Sequence, residues 1–169
     1  MATCRLDSGV ICAMTNASNP TLLIVYHTQS GNTGRLADAV LRGAQREAGV
    51  TTLLKRAFDT TIADLLACNG LLLGTPENFG FMSGALKDFF DRTYYPAEGK
   101  TVALPYAVFV SAGNDGRGAV AQIERIAIGY GWKRVAEPLI VRKEITAADL
   151  VAAEELGAAL AAGLALGIF

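Results

Sequence analysis

The stretch TLLIVYHTQSGNT, residues 21–33, joins a hydrophobic run to a polar turn that contains one glycine. Residues 21–26 form a continuous apolar run with β-branched side chains, which is typical of a parallel strand buried on both faces. Residues 36–48 then carry apolar side chains at helical spacing, and Gly49 is expected to end that helix. The stretch therefore predicts the first strand, turn and helix of an α/β fold.

The alternation of strands and helices continues to the C-terminus. Four more strands are predicted, at residues 51–56, 70–74, 106–110 and 135–141. Helix caps are expected at Thr60 or Thr61, at Ser83, and at Thr146, where Asp149 completes a capping box. We therefore predict a single open sheet of five parallel strands with helices on both faces. Ligands of such sheets bind beyond the carboxyl ends of the strands, so the loops after strands one, three and four form the candidate site.

Composition narrows the classes of function. The 169 residues suit one domain, and 51% of them are hydrophobic against 18% charged, which excludes global disorder. Fifteen basic and 16 acidic residues leave a net charge of -1 without a basic cluster, which argues against nucleic acid as a partner. Three cysteines without a C-x-x-C pair, together with a single histidine, argue against disulfides, zinc and other metal sites, and favour a reducing cytoplasm.

The two ends of the chain give simple expectations. We expect residues 1–19 to form a poorly ordered tail and residues 20–169 to form a single domain. The C-terminal stretch 156–169 is uncharged, but its 14 residues fall short of the ~20 needed to span a bilayer. An alanine-rich helix packed on the domain is expected there, and no membrane partner is predicted.

The loop after the first strand has the composition of an anion-binding turn. Backbone N–H groups and the positive end of the following helix point towards one place. Further donors, and a glycine that allows close approach, come from Thr28, Ser30, Gly31, Asn32 and Thr33. No lysine or arginine lies within residues 28–33, and neither G-x-x-x-x-G-K-[ST] nor G-x-G-x-x-G is present, which favours a phosphate monoester over a triphosphate or a dinucleotide. The alternative is a polar turn that binds no ligand.

Three loops resemble those of one superfamily. T-x-S-G-N-T at residues 28–33 resembles the phosphate loop of flavodoxin-family proteins, which bind flavin mononucleotide (FMN). GTPENFGFMSG at residues 74–84 resembles the isoalloxazine loop, G-T-P-x-x-F-G-x-M-S-G, of NAD(P)H-dependent quinone reductases of the Trp-repressor-binding-protein type and of NADPH-dependent FMN reductases. Glu77 and Asn78 depart from the small polar and basic residues usual in the quinone reductases. SAGNDG at residues 111–116 resembles the loop that covers the pyrimidine end of the flavin.

The resemblance implies a flavodoxin-like three-layer fold with strand order 2-1-3-4-5. It also implies which residues bind FMN: Thr28, Gln29, Ser30, Gly31, Asn32, Thr33, Thr75, Pro76, Glu77, Asn78, Phe79, Gly80, Ser111, Ala112, Gly113, Asn114 and Gly116. Phe79 is expected to supply an apolar wall for the ring. Phe81 and Met82 are expected instead to pack onto the sheet.

Several other side chains allow two interpretations. His27, at the edge of the phosphate loop, either contacts phosphate or has a structural role, and the structural role is favoured. Asp115 either places negative charge near the ring or caps the next helix. Tyr130 lies near a flavin-site position of the quinone reductases, but its place on the fourth helix favours the core. Cys68 has no base beside it and is expected to be buried and unreactive.

The leading hypothesis is an FMN-dependent oxidoreductase. A nicotinamide cofactor, NADH or NADPH, would deliver hydride to the flavin, and a quinone or similar small molecule would accept the electrons. No catalytic side chain is predicted, and the resemblance implies a homodimer or homotetramer. The alternative is a flavodoxin-type electron carrier, against which the weak net charge argues. A receiver domain is excluded, because Tyr26-His27 and Gly74-Thr75 stand where its acidic cluster would lie.

Overall fold

The computed structural model describes residues 19–169, so the expectation for the N-terminal tail lies, apart from Asn19, outside the described residues. The strands are β1 Thr21–Tyr26, β2 Thr51–Arg56, β3 Gly70–Asn78, β4 Phe81–Met82, β5 Pro105–Ala112, β6 Lys133–Arg134 and β7 Leu139–Arg142. The helices are α1 Asn32–Ala44, α2 Ile62–Ala67, α3 Gly84–Ala97, α4 Arg117–Tyr130 and α5 Ala147–Ala165, with a single 3-10 turn at Ala57–Asp59.

The sheet has the predicted parallel order. β2, β1, β3 and β5 lie side by side, and both β6 and β7 pair with β5, all in parallel. Helices α1 and α5 cover one face, while α2, α3 and α4 cover the other. The α/β flavodoxin-like fold predicted from the sequence is thereby confirmed.

The described residues form seven strands where five were predicted, in part because the last strand is divided. Pro105 and Tyr106 of β5 pair with β6, and Phe109 and Val110 pair with the start of β7. Two residues of β5 therefore face the four residues 135–138, so the chain bulges between its two pairings. Pro138 lies within this bulge and has no N–H group for a sheet hydrogen bond.

The second difference from the prediction is a hairpin at the end of β3. The predicted loop 75–82 continues β3 as far as Asn78 and then turns back as β4, antiparallel to it. Phe79 and Gly80 form the two-residue turn, with φ angles of 51° and 79°. Positive φ at both positions defines the turn type that matches the twist of a hairpin. This hairpin stands at the carboxyl edge of the sheet, beside the predicted site.

Continuous burial of the central strands explains their continuous apolarity. In β1, Leu22 and Ile24 pack towards α1 and α5, whereas Leu23 and Val25 pack towards the other helix layer. All four side chains are fully buried. The capping residues also lie where predicted: Thr61, Ser83 and Thr146 accept hydrogen bonds from the first turns of α2, α3 and α5.

The C-terminal stretch packs on the domain as predicted. Residues up to Ala165 belong to α5, and Leu160 and Ala161 are buried against the α1 side of the sheet. Gly43 of α1 and Gly157 of α5 allow the two helices to approach closely: a Cβ on either glycine would overlap backbone atoms of the other helix. Within residues 19–169, no helix is both long enough and apolar enough to cross a membrane.

Candidate functional site

A cavity of about 420 Å³ opens at the carboxyl edge of the sheet, where the three predicted loops meet. Its volume is in the range of small-molecule sites. It is lined by Gln29, Ser30 and Asn32 after β1, by Pro76, Glu77 and Asn78 at the end of β3, by Ser111, Ala112 and Gly113 at the end of β5, and by Lys143 after β7. Nine of these ten residues were predicted from the sequence; Lys143 was not.

The N-terminus of α1 supplies an open anion-binding end to this cavity. Gly31 is the N-cap, with φ 97°, and it has no side chain to cap the helix. The first helical hydrogen bond runs from Arg35 N to the Gly31 carbonyl, 3.0 Å, so the N–H groups of residues 32–34 have no acceptor within the helix. By contrast, hydroxyl side chains cap α2, α3 and α5. The free N–H groups and the helix dipole favour an anion at this end.

The two threonines of this loop hold its shape. The Gly31 N–H donates to Thr28 Oγ1 over 3.0 Å, which leaves the threonine hydroxyl hydrogen free for another acceptor. Thr33 is buried, and its hydroxyl lies 2.7 Å from the hydroxyl of Ser111. That hydrogen bond joins the loop after β1 to the end of β5. Neither threonine lines the cavity.

A second set of hydrogen bonds fixes the β3–β4 hairpin. Thr75 is fully buried; its hydroxyl donates to the Pro76 carbonyl and accepts from Ser83 N, both over 2.9 Å. Glu77 Oε2 accepts from the Gly116 N–H, 3.0 Å, which ties the hairpin to the start of α4. Thr75 therefore stabilises the hairpin without lining the cavity. Glu77 lines the cavity and also fixes the hairpin to α4.

Phe79 and Gly80 stand at the hairpin tip, outside the cavity lining. The Phe79 side chain is fully exposed, and the Gly80 carbonyl packs closely against Gly118 of α4, where a Cβ would overlap it. Met82 is buried in the core as expected. Phe81 is 57% exposed, so the expectation that it packs onto the sheet is wrong: the pairing of β4 with β3 turns it outwards.

Some residues of the loop after β5 line the cavity, and others lie at the start of α4. Asn114 and Gly116 lie beyond the cavity lining, and Gly116 has φ 74° as the N-cap of α4. Asp115 Oδ1 accepts from the Arg117 N–H over 3.0 Å, so of its two interpretations the capping role is the one observed.

His27 lies beside the site without lining it. Burial and the nearby Arg56 guanidinium lower the pKa of its imidazole. Nδ1 is buried without a hydrogen-bond partner among the described residues, and the ring packs edge-on against Phe58, with 6.2 Å between centroids. These contacts agree with the favoured structural role.

Two other candidates belong to the core. The Tyr130 hydroxyl donates to the Phe90 carbonyl over 2.9 Å and lies 2.8 Å from the Thr93 hydroxyl; burial raises the pKa of Tyr130 to about 12. Cys68 is buried, and burial raises the pKa of its thiol to about 12, so it stays protonated and unreactive. Across residues 19–169, no three His, Cys, Asp or Glu side chains are grouped to hold a metal ion.

Lys143 is the lining residue that sequence reasoning missed. It is also the only lysine or arginine among the cavity-lining residues, and Glu77 is the only acid among them. The available signal was its position directly after the last strand, because parallel strands end at the same edge of a sheet. The prediction considered only the loops after strands one, three and four, and it therefore did not include Lys143.

The cavity fits a phosphate monoester joined to a flat ring. No atom lies within 4 Å of a Cβ built on Gly31, so the approach to the α1 N-terminus is open. Ser30 and Asn32 add uncharged donors at that end, which can hydrogen-bond the oxygens of a monoester. Pro76, Ala112 and Gly113 also line the wall, and none of them has a charged or bulky side chain that would exclude a flat ring.

Fold and cavity together define a flavodoxin-like α/β protein whose first strand is followed by a loop without lysine or arginine, at the open N-terminus of α1. The NADPH-dependent FMN reductase family model matches residues 54–140, just over half of the chain. The chain belongs to this family, whose members are FMN-binding oxidoreductases of flavodoxin-like fold.

Individual proteins agree with this assignment. The chain is 34% identical to a flavodoxin of Aquifex aeolicus over 114 residues, covering 66% of this chain and 62% of the relative. It is 30% identical to an NAD(P)H dehydrogenase (quinone) of Acidithiobacillus ferrooxidans over 111 residues, covering 53% of this chain and 56% of the relative. The matches thus span less than two thirds of either relative. A flavodoxin structure from the domain Archaea superposes with a TM-score of 0.77 at 21% identity, covering 85% of this chain and 98% of that one, which shows the shared fold.

Proposed function

We propose that this protein is an FMN-dependent oxidoreductase that takes hydride from NAD(P)H and passes electrons to a quinone or similar small acceptor. The observation that carries the proposal is the single cavity in which all three predicted loops meet, with an uncapped helix N-terminus at one end. The family assignment and the quinone dehydrogenase among the relatives support it.

The residues have separate tasks in this proposal. The N–H groups of residues 32–34, with Ser30 and Asn32, hold the phosphate through uncharged donors. Backbone groups at Pro76, Asn78 and residues 111–113 hold the edge of the ring, and Phe79 on the hairpin tip supplies an apolar rim. Gln29 completes the wall between them, since its Oε1 accepts from Asn78 Nδ2 over 3.4 Å. When bound, FMN supplies the redox chemistry, and no side chain needs to act as an acid or base.

An electron carrier without its own substrate is the second candidate. The 34% identical flavodoxin favours it. The formal charge of -1 opposes it, because carriers steer to basic partners with a strongly acidic surface. We further propose a homodimer or homotetramer, which light scattering on the purified protein would measure.

The test combines FMN binding with anaerobic reduction. The purified chain is titrated with FMN while flavin fluorescence is followed, and NADPH or NADH is then added without oxygen, followed by a soluble quinone. Bleaching of the flavin absorbance by the nicotinamide and its recovery with quinone are expected. Failure to bind FMN would overturn the proposal, and binding without bleaching would favour the carrier.

The substitution Ser30→Asp tests the phosphate end. A carboxylate placed among the donors for the phosphate would repel it, so FMN affinity should fall at least a hundredfold, on the order of 3 kcal/mol. Gln45→Glu adds the same charge at the exposed C-terminal end of α1 and should leave affinity unchanged. Equal FMN affinity in Ser30→Asp and Gln45→Glu would remove this loop from the site.

A further inference from the structure

A groove between α3 and α4 begins at the β3–β4 hairpin, outside the site described above. Two cavities, of about 290 and 400 Å³, form one groove because Lys87, Gln122 and Ile126 line both of them. Phe81, Met82 and Gly84 complete the lining of the first cavity, and Phe90, Asp91, Tyr94, Arg125 and Gly129 complete that of the second. On each helix these residues recur at three- and four-residue spacing, so the α3–α4 groove follows one side of each helix.

The floor of the α3–α4 groove is apolar, and its polar groups are already paired. Phe90 is buried, and Ile126 and Tyr94 pack against the same core cluster. The Tyr94 hydroxyl donates to the Gly129 carbonyl over 3.5 Å. Among residues 19–169, the only buried side-chain polar atom without a hydrogen-bond partner is His27 Nδ1, which does not line this groove. The buried floor therefore has no unpaired side-chain donor or acceptor for a polar occupant.

The charged side chains of the lining are exposed and do not call for a charged occupant. Lys87 Nζ donates to both carboxylate oxygens of Asp91, over 2.6 and 2.8 Å, so these two charges neutralise each other within α3. Arg125 is exposed to solvent, where water weakens the attraction between charges. An occupant therefore gains affinity in this groove mainly through the apolar surface that it buries.

The β3–β4 hairpin is shared between the candidate flavin site and this groove. Asn78 lines the site cavity and pairs with Phe81, which lines the groove; Glu77 and Met82 are paired in the same way. Partners in such a pair lie about 5 Å apart, so only the width of one hairpin separates the two. At its tip, the fully exposed Phe79 and the exposed Phe81 carry apolar surface from one to the other.

The chemistry of a quinone acceptor suggests what this groove binds. Only the quinone ring needs to reach the flavin, so a substituent on that ring is free to pass over the hairpin tip. A hydrocarbon chain gains free energy when it leaves water for an apolar floor, and it needs no hydrogen bonds there. An extended peptide would instead bring N–H and C=O groups that the floor cannot pair. Continuity with the site and the apolar floor therefore favour a hydrocarbon chain attached to the acceptor.

We propose that the electron acceptor is a quinone with a hydrocarbon tail, an alkyl or prenyl chain, and that the α3–α4 groove binds this tail. The inference rests on the proposed function, since it requires a quinone that reaches the flavin cavity. The tail takes no part in the redox chemistry; its burial selects lipophilic quinones over quinones that lack a tail.

The test compares two benzoquinones with the same ring, one with a decyl tail and one with a methyl group in its place. Their dissociation constants are measured by titration calorimetry on the FMN-loaded, oxidised protein without a nicotinamide cofactor, so the measurement needs no turnover. Each buried methylene increases affinity about fourfold, so burial of about three of them should make the tailed quinone bind about fiftyfold more tightly. The ratio of kcat/KM for the two quinones with NADPH is the second readout.

Three variants of α4 locate the tail. Gln122→Glu places a carboxylate in the part of the groove that both cavities share and should lower the affinity ratio at least tenfold. Gln122→Leu is apolar and should retain the preference for the tailed quinone. Ala121→Glu is the matched control: it adds the same charge at the adjacent, exposed position outside both linings and should retain the wild-type ratio.

Equal affinity of the wild type for the two quinones would overturn the proposal. A ratio that Gln122→Glu leaves unchanged, or that Ala121→Glu lowers equally, would also overturn it. If a second copy of the chain covers the groove instead, Gln122→Glu would reduce the molar mass measured by light scattering and leave the ratio unchanged. A protein that shows the expected ratios but is not reduced by NAD(P)H would overturn only the proposed enzyme activity. A chain that binds no FMN would overturn both.

Discussion

Phe79 combines two unfavourable features at the tip of the β3–β4 hairpin. Its side chain is fully exposed, and its backbone has a positive φ where asparagine is the preferred residue before glycine. Contacts with α4 and the residue before it hold the turn in place: Gly80 packs on Gly118, and the Gly116 N–H donates a hydrogen bond to the Glu77 carboxylate. An exposed aromatic kept in a costly conformation is expected to serve binding and not stability.

Replacement of this residue should therefore raise stability while it weakens the site. Phe79→Asn creates the favoured Asn-Gly turn and should increase the free energy of unfolding of the FMN-free chain by about 1 kcal/mol, a rise in Tm of about 2–4 °C. Urea unfolding measures the change. Ala103→Gly relieves a similar φ, 63°, far from the cavity and should also stabilise, but without any effect on FMN affinity. A lower urea midpoint for Phe79→Asn would contradict this interpretation of the turn.

At the scale of single residues, the sequence did not predict that Lys143 lines the cavity or which partners the loop hydroxyl groups have. Motif spacing predicted which loops meet, because T-x-S-G-N-T and the strand preceding it are local features. It could not predict that Thr33 turns its hydroxyl to Ser111, 78 residues away, since that choice depends on the packed sheet. Lys143 belongs to no motif, and its place in the cavity lining follows only from the pairing of β7 with β5.

At the scale of elements, capping and burial were predicted and strand interruptions were not. The capping box of Thr146 and Asp149 is a local pattern, and the structure contains both of its hydrogen bonds. The β3–β4 hairpin escaped prediction because Phe79 carries no turn signal. The division of the last strand escaped it because the bulge at 135–138 is set by register against β5, which no single segment contains.

The contact between α1 and α5 depends on two glycines. Gly157→Ala would push its methyl group into the backbone of α1 at Val40, and a backbone atom cannot move aside as a flexible side chain can. We expect a loss of about 1–3 kcal/mol, measured by urea unfolding. Gly84→Ala is the matched control: Gly84 begins α3, a Cβ there meets no atom within 4 Å, and the change should be neutral or slightly stabilising. Equal stability of Gly157→Ala and the wild type would mean that the helices are packed less closely.

For the whole molecule, a single histidine makes the pH dependence of stability near neutrality simple to interpret. The pKa of His27 is lowered in the folded protein by burial and by Arg56. The unfolded chain therefore binds a proton more readily, so stability is constant well above pH 6.5 and falls as the pH drops through 6.5 towards the folded pKa. Asp64 and Asp149 have lowered pKa values and contribute only at more acidic pH.

The substitution His27→Gln isolates this effect. The wild type should lose stability between pH 7.5 and pH 5.5, whereas His27→Gln should lose less over the same interval. Urea unfolding at the two pH values gives both differences. Identical losses in the two proteins would assign the pH dependence to other groups.

The bulge that divides the last strand also affects how molecules meet one another. A sheet margin that ends in an unbroken strand offers a neighbouring chain a template for growth into aggregates. Here that margin is a two-residue piece bearing Lys133 and Arg134, then a kink with a proline, then a four-residue piece. Basic side chains and broken pairing are two of the devices by which natural sheets prevent such growth. The bulge in the last strand thus hinders the pairing of this sheet edge with a strand of a second copy of the chain.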